Sequence, residues 1–278
     1  MQRVESPILM WVTDSSRSDA ELSDLARSAV AGGVDVIQVR EKGLDWSSLA
    51  ATVQAVRAAS GTSIDLVVNT DIELAQALGV GVHLPEIGPT IAEARAVLGH
   101  DALVGRSVHS PDAATASEGA SYLVAGHVYE TASKPGRSPL GLDRFAEIVA
   151  VAPAPVIAIG GITPERVRAV MEAGAVGVAV LGPLTRLATI GSEAAAYRSA
   201  LEACMSRTEN GSISATINGK EVTLPAGTTV ADFLAGRDLH ERLVVVERNG
   251  EIIKRSTFPE VVIEEGDLLE VVHFVGGG

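Results

Sequence analysis

The chain has 278 residues, 46% hydrophobic and 21% charged, enough apolar material for one large domain or two smaller ones. Its formal charge of −13 argues against a nucleic-acid partner, because phosphate binding needs a basic face. The one cysteine, Cys204, excludes an intramolecular disulfide and a cysteine-built metal site, and no apolar stretch reaches the roughly 18 residues of a membrane-spanning helix. The N-terminal apolar run is short and carries Glu5, which does not suit a signal peptide, so a cytoplasmic protein is expected.

In chain order, eight short β-branched runs alternate with Ala-rich segments. The runs are Ile8–Thr13, Val34–Val39, Ile64–Val68, Gly81–Leu84, Ala102–Gly105, Tyr122–Ala125, Val156–Ile159 and Gly177–Leu181. Near-continuous apolar strands separated by helices imply a parallel sheet buried on both faces, and eight such units in about 200 residues predict a (β/α)8 TIM barrel over residues 1–205. Helix starts agree: Ser110-Pro111-Asp112 and Thr163-Pro164-Glu165 each offer a capping hydroxyl, a proline at the first helical position and an acid in the first turn. Residues 206–211 are polar and read as a linker. From 212 to 278 the texture changes to a small α+β domain. A hairpin is predicted around Asn218-Gly219, a short helix over Thr229–Leu234, a second hairpin around Asn249-Gly250, and a last strand over Leu268–Val275 that runs into Gly276-Gly277-Gly278.

Barrels place chemistry at the carboxyl ends of their strands, often with a phosphate site after strands seven and eight. Gly160-Gly161 and Gly182-Pro183 stand at those two points, where backbone N–H groups can approach an anion; tight turns alone are the other reading. Arg40 and Lys42, two apart at the end of strand two, are candidate anion ligands or partners of Glu41 and Asp45. Asn69 ends strand three, where capping of the next helix is the alternative. The polar stretch from Gly126 to Gly136, with His127, Thr131, Ser133 and Lys134, suggests a loop over a substrate. His83 and His109 also end strands and either face the mouth or serve as structural hydrogen-bonding groups.

These motifs resemble the thiamine phosphate synthase superfamily. The resemblance rests on Gln38-Val39-Arg40-Glu41-Lys42, Val68-Asn69, Gly81-Val82-His83-Leu84, the loop from Gly126 to Lys134, Ile159-Gly160-Gly161-Ile162 and Gly177-Val178-Ala179-Val180. It implies one of two activities, joining of pyrimidine and thiazole halves by the synthase or aromatisation of a thiazole phosphate by a tautomerase. Synthases hold a magnesium-bound pyrophosphate with acids after strands three and four, as Asn-Asp and Gly-Gln-x-Asp. This chain has Asn69-Thr70-Asp71 and Leu84-Pro85-Glu86-Ile87-Gly88 instead. Synthases also carry a proline where His127 stands. The departures favour the tautomerase, an isomerase that needs no metal and no cofactor. His127 is then the acid/base, Gly161, Gly182 and Pro183 the phosphate cradle, Arg40 and Lys42 the carboxylate ligands, and Asn69, Thr131, Ser133 and Lys134 further substrate contacts.

The C-terminal part resembles the ubiquitin-like β-grasp sulfur carrier of thiazole formation, through Val222–Val230 and the terminal glycines. That resemblance implies a thiocarboxylate on Gly278 with Gly277 before it, made by an adenylating and sulfur-transfer partner that uses ATP, and sulfur delivery to a thiazole synthase. A synthase barrel on the same carrier, or a silent barrel on a carrier and interaction protein, are the alternatives. Self-association into a homo-oligomer is left open by the sequence.

Overall fold

Eight parallel strands, each followed by a helix, close on themselves in sequence order, β1 pairing with β2 on one side and β8 on the other. They are β1 (Ile8–Val12), β2 (Val36–Val39), β3 (Asp65–Asn69), β4 (Gly81–Leu84), β5 (Val104–Val108), β6 (Tyr122–Gly126), β7 (Val156–Ile159) and β8 (Gly177–Val180). The helices are α1 (Asp19–Ala31), α2 (Trp46–Ser60), α3 (Ile72–Leu78), α4 (Ile91–Leu98), α5 (Pro111–Thr115), α6 (Gly141–Val151), α7 (Pro164–Glu172) and α8 (Ile190–Glu209). This computed structural model describes residues 7–13, 18–209, 212–237, 239 and 244–273. The chain divides into two compact units, Met1–Glu202 and Ala203–Gly278.

The closed eight-stranded parallel barrel predicted from the alternating texture is the observed architecture. Details differ. β5 lies two residues later than expected, because Arg106 and Ser107 extend the strand although they are polar. The polar run that begins at Ser206 does not open a linker, since α8 continues through it to Glu209. Ser110 caps α5 by accepting from the Ala113 N–H at 3.2 Å, but the Thr163 hydroxyl makes no capping bond to α7. Capping boxes at Ser18 with Glu21 and at Thr90 with Glu93 fix the starts of α1 and α4. In α8, Arg198 donates to the Pro7 and Gly33 carbonyls and pairs with Asp35, which ties the last helix to the start of the barrel.

The barrel interior is filled by Met10, Val12, Val36, Val67, Tyr122, Val124, Ile157 and Ala179. Tyr122 is the largest of them, and it fits because β5 offers Gly105 opposite. A Cβ at Gly105 would lie 2.1 Å from Tyr122 Cζ, far closer than atoms can pack.

The second unit is a five-stranded sheet in the order β10-β9-β13-β11-β12 with one α-helix among the described residues. Its elements are β9 (Ser212–Ile217), β10 (Lys220–Pro225), α9 (Val230–Ala235), β11 (Val244–Arg248), β12 (Glu251–Ile252) and β13 (Leu268–His273). β9 and β13 are parallel, and the other pairs are antiparallel. Both predicted hairpin turns are present, with positive φ at Asn218 and Gly219 and at Asn249 and Gly250, as a type I′ turn requires. Phe233, Leu234, Phe258 and Ile263 pack with Val244, Val246 and Leu269 in its core. Residues 274–278 lie outside the described residues, among them Gly277 and Gly278, which the resemblance makes the tail of a sulfur carrier.

Gly105→Ala is expected to destabilise the barrel by about 1–3 kcal/mol, the usual effect of overpacking. Combining it with Tyr122→Leu should recover part of the loss in urea denaturation of the whole chain; an unaffected single variant would refute the packing argument.

Candidate active site

Because side chains alternate along a strand, closure sends one parity of each strand inward. At the carboxyl ends these inward positions are polar: Gln38 and Arg40 on and after β2, Asn69 on β3, His83 on β4 and Ser107 on β5. Together with Gly126, His127 and Gly160 they line a cavity of 440 Å³. Its rim is supplied by Lys42, Glu86, His109, Thr131, Ser133 and Lys134. A larger hollow of 830 Å³ lies at the opposite ends of β3, β4 and β5, but its one basic side chain, Arg57, is engaged by the carbonyls of Leu78 and Gly79.

The floor of the upper cavity is a buried polar network. The Gln38 amide donates to Asn69 Oδ1 at 3.0 Å, and Asn69 Nδ2 donates to Thr70 Oγ1 at 3.0 Å. His83 is 3% exposed, with Nδ1 3.1 Å from the Tyr122 hydroxyl and Nε2 2.9 Å from Ser107 Oγ. Burial, reinforced by the nearby Arg40 charge, pulls the His83 pKa down to about 4, so its imidazole is neutral at physiological pH. Burial also raises the Tyr122 pKa far above its ordinary value, keeping the hydroxyl protonated.

His127 follows a cis peptide bond after Gly126 and is 6% exposed. Its Nε2 lies 3.2 Å from the Arg137 carbonyl, so that nitrogen carries the proton in this contact. Gly160, at φ +97°, packs on the His127 backbone and Cβ, a place no side chain could occupy. The loop after β6 returns to the barrel through Leu140 N–H to the His127 carbonyl at 2.8 Å and Gly141 N–H to the Val128 carbonyl at 3.0 Å. On its way it brings Lys134 Nζ to 3.2 Å from His109 Nε2, and His109 Nδ1 pairs with Glu86. Burial, with Arg137 and Arg40 adding repulsion, lowers the Lys134 pKa, and Glu86 opposes the shift.

The structure therefore gathers seven predicted site residues in the wall of one cavity: Arg40, Lys42, Asn69, His127, Thr131, Ser133 and Lys134. It does not bring Gly161, Gly182 or Pro183 to that wall. Gly161 lies beneath Tyr129 and Glu130, and its carbonyl accepts from Arg166, whose guanidinium stacks on Tyr129 at 4.5 Å. Gly182 and Pro183 start a 3-10 turn, Gly182–Thr185, whose first carbonyl accepts from the Thr185 hydroxyl at 2.8 Å. Gln38, Ser107 and Tyr122 escaped the sequence reading of the site. The parity that turns Gln38, Ser107 and Tyr122 inward is set by closure of the barrel, and no local motif in the sequence marks it.

Residues 9–184 match the family described as thiamine monophosphate synthase, and residues 210–278 match the ThiS family. The chain belongs to the thiamine monophosphate synthase family and carries a C-terminal ThiS-family domain. It is 40% identical over 178 residues to a thiamine-phosphate synthase of Natronomonas pharaonis, covering 62% of this chain and 82% of that protein. To the thiamine-phosphate synthase of Mycobacterium tuberculosis strain H37Ra it is 37% identical over 216 residues, 72% of this chain and 97% of the relative. A solved thiamine phosphate pyrophosphorylase from Pyrococcus furiosus superposes with a TM-score of 0.62 at 26% identity, over 71% of this chain and 96% of that one.

These relatives correct the isomerase expected from His127 and from the altered acidic motifs. Proteins up to 40% identical carry the name of a synthase, a transferase. The sequence argument failed because it took single positions, a histidine for a proline and an acid one residue displaced, as marks of a reaction. Among the described residues no helix is long and apolar enough to cross a membrane.

The buried neutral His83 makes stability pH-dependent. Its folded pKa lies below the unfolded value of 6.5, so the contribution is intact above pH 6.5 and is lost as pH falls towards 4. The full loss is about 3 kcal/mol. Urea midpoints of the wild type should fall across that window more steeply than those of His83→Gln; parallel pH curves would show that His83 is not buried neutral.

Proposed function

We propose that the barrel is a transferase of the thiamine-phosphate synthase type. It joins a pyrimidine half carried on pyrophosphate to a thiazole phosphate, and pyrophosphate leaves as the new bond forms. One observation carries this reading: the match to the family spans residues 9–184, a stretch that contains every residue of the cavity wall. In such a displacement negative charge gathers on the leaving pyrophosphate. Preorganised cations in a site shielded from water stabilise that charge far more than they would in bulk solvent. Arg40, Lys42 and Lys134 are the groups suited to this, Arg40 with a fork that can bind two oxygens at once. Asn69, Thr131 and Ser133 offer an amide and two hydroxyls for orientation. His127 serves the same reading as a support, its imidazole holding the Arg137 carbonyl and so the loop that bears Lys134.

The ThiS-family domain completes the reading as a sulfur carrier. Its terminal Gly278, after Gly277, is adenylated by a partner enzyme that consumes ATP, converted to a thiocarboxylate, and used by a thiazole synthase. The thiazole phosphate so formed is a substrate of the barrel, and a short tether raises the local concentration of the next enzyme to roughly millimolar.

Supplied with the pyrimidine pyrophosphate and the thiazole phosphate, the chain should form thiamine phosphate and release pyrophosphate in equal amounts. Lys134→Ala should lower kcat/KM by about 100-fold, while Arg168→Ala, in an exposed ion pair with Glu172, should leave it unchanged. Absence of product with and without magnesium would overturn the reading in favour of a silent barrel. For the carrier, incubation with the adenylating enzyme, ATP and a sulfur donor should raise the intact mass by the difference between sulfur and oxygen. An unchanged mass would remove Gly278 from that role.

A further inference from the structure

The family resemblance implies a magnesium ion held by acids after β3 and β4, and the residues present in those two loops do not fit one. Asp71 is absent from the cavity wall, and its carboxylate caps α3 by accepting from the Leu74 N–H at 2.8 Å. Asn69 Oδ1 already accepts from Gln38. Glu86 is the one carboxylate among the residues lining the cavity, and it is paired with His109 Nδ1. His109 Nε2 in turn faces Lys134 Nζ at 3.2 Å, and the Glu86 carbonyl accepts from Arg106 at 2.7 Å. Glu86 is thereby the anchor of a clasp that joins the loops after β4, β5 and β6. Magnesium demands near-octahedral oxygen ligands, including one or two carboxylates. Among the described residues no three His, Cys, Asp or Glu side chains come together as a metal site.

The charge of the wall points the same way. Arg40, Lys42 and Lys134 are among the residues lining it, and Glu86 is the one carboxylate there. Cations along a lining favour an anion over a divalent cation.

We infer that this barrel neutralises the anionic group of its substrate with side-chain cations alone, and that Glu86 is a loop clasp and no metal ligand. The inference rests on the transferase reading for the identity of the anion.

Two titrations of the full chain test it. Followed by its electron paramagnetic resonance signal, Mn2+ should show no saturable submillimolar site in the wild type. Inorganic pyrophosphate, titrated calorimetrically, should bind with the same affinity within about twofold in excess EDTA and in excess magnesium. A Mn2+ site that disappears in Glu86→Gln would overturn the inference. So would pyrophosphate binding strengthened about tenfold or more by magnesium, or absent in both buffers. Glu86→Gln should also weaken pyrophosphate binding without metal, because Lys134 loses its clasp; unchanged binding would overturn the clasp. If thiamine phosphate is never formed while pyrophosphate binds equally with and without metal, the transferase reading falls and this inference stands. Product formed only with magnesium gives the converse.

Discussion

Closure of eight parallel strands is the constraint from which the rest of the N-terminal unit follows. Once β8 pairs with β1, every second side chain must enter a volume of fixed size, and the residues there must fill it. Met10, Val36, Val67 and Ile157 do so in the middle, and Tyr122 occupies the room that Gly105 leaves. One layer further up the same parity carries Gln38, Asn69, His83 and Ser107, so the core ends in a polar floor. Core and site are one stack of side chains. A change in the packing of Tyr122 is felt by His83 through their hydrogen bond.

Burial then sets the electrostatics. His83 stays neutral because water is excluded and Arg40 is close, and Lys134 is pushed down by burial and by two neighbouring guanidinium groups. An acidic chain thus concentrates positive charge at one end of its barrel. The same loops that bring the cations together commit the acids elsewhere, Asp71 to a helix start and Glu86 to His109. An anion is the ligand that such an arrangement favours, and the charge pattern is a property of the folded loops more than of the composition.

The ThiS-family unit solves a different problem with little apolar material. Two type I′ turns at Asn218-Gly219 and Asn249-Gly250 set the register of its hairpins, and the Thr229–Asp232 capping box starts α9. Asp267, 5% exposed, accepts from Asn249 and from the Glu264 N–H and pairs with Arg248, and hydrogen bonds of this kind hold its carboxyl below the ordinary range. Local turn chemistry therefore does much of the work that a larger core does in the barrel.

The sequence by itself determined the number and order of the barrel strands and the hairpin–helix–hairpin–strand order of the second unit. Strand runs such as Val156–Ile159, capping residues and Asn-Gly pairs act within a few residues of themselves, and such signals survive without tertiary context. It also singled out Arg40, Lys42, Asn69 and His127 at strand ends and Lys134 in the loop after strand six. Only the tertiary structure decided which of these share a wall. That Gly161 is covered by Tyr129, that Gln38 and Tyr122 turn inward, and that Glu86 is taken by His109 depend on segments far apart in the chain, as the Glu86–His109 separation of 23 residues illustrates. Inward parity is fixed by barrel closure, a condition on all eight strands together, and no single motif contains it.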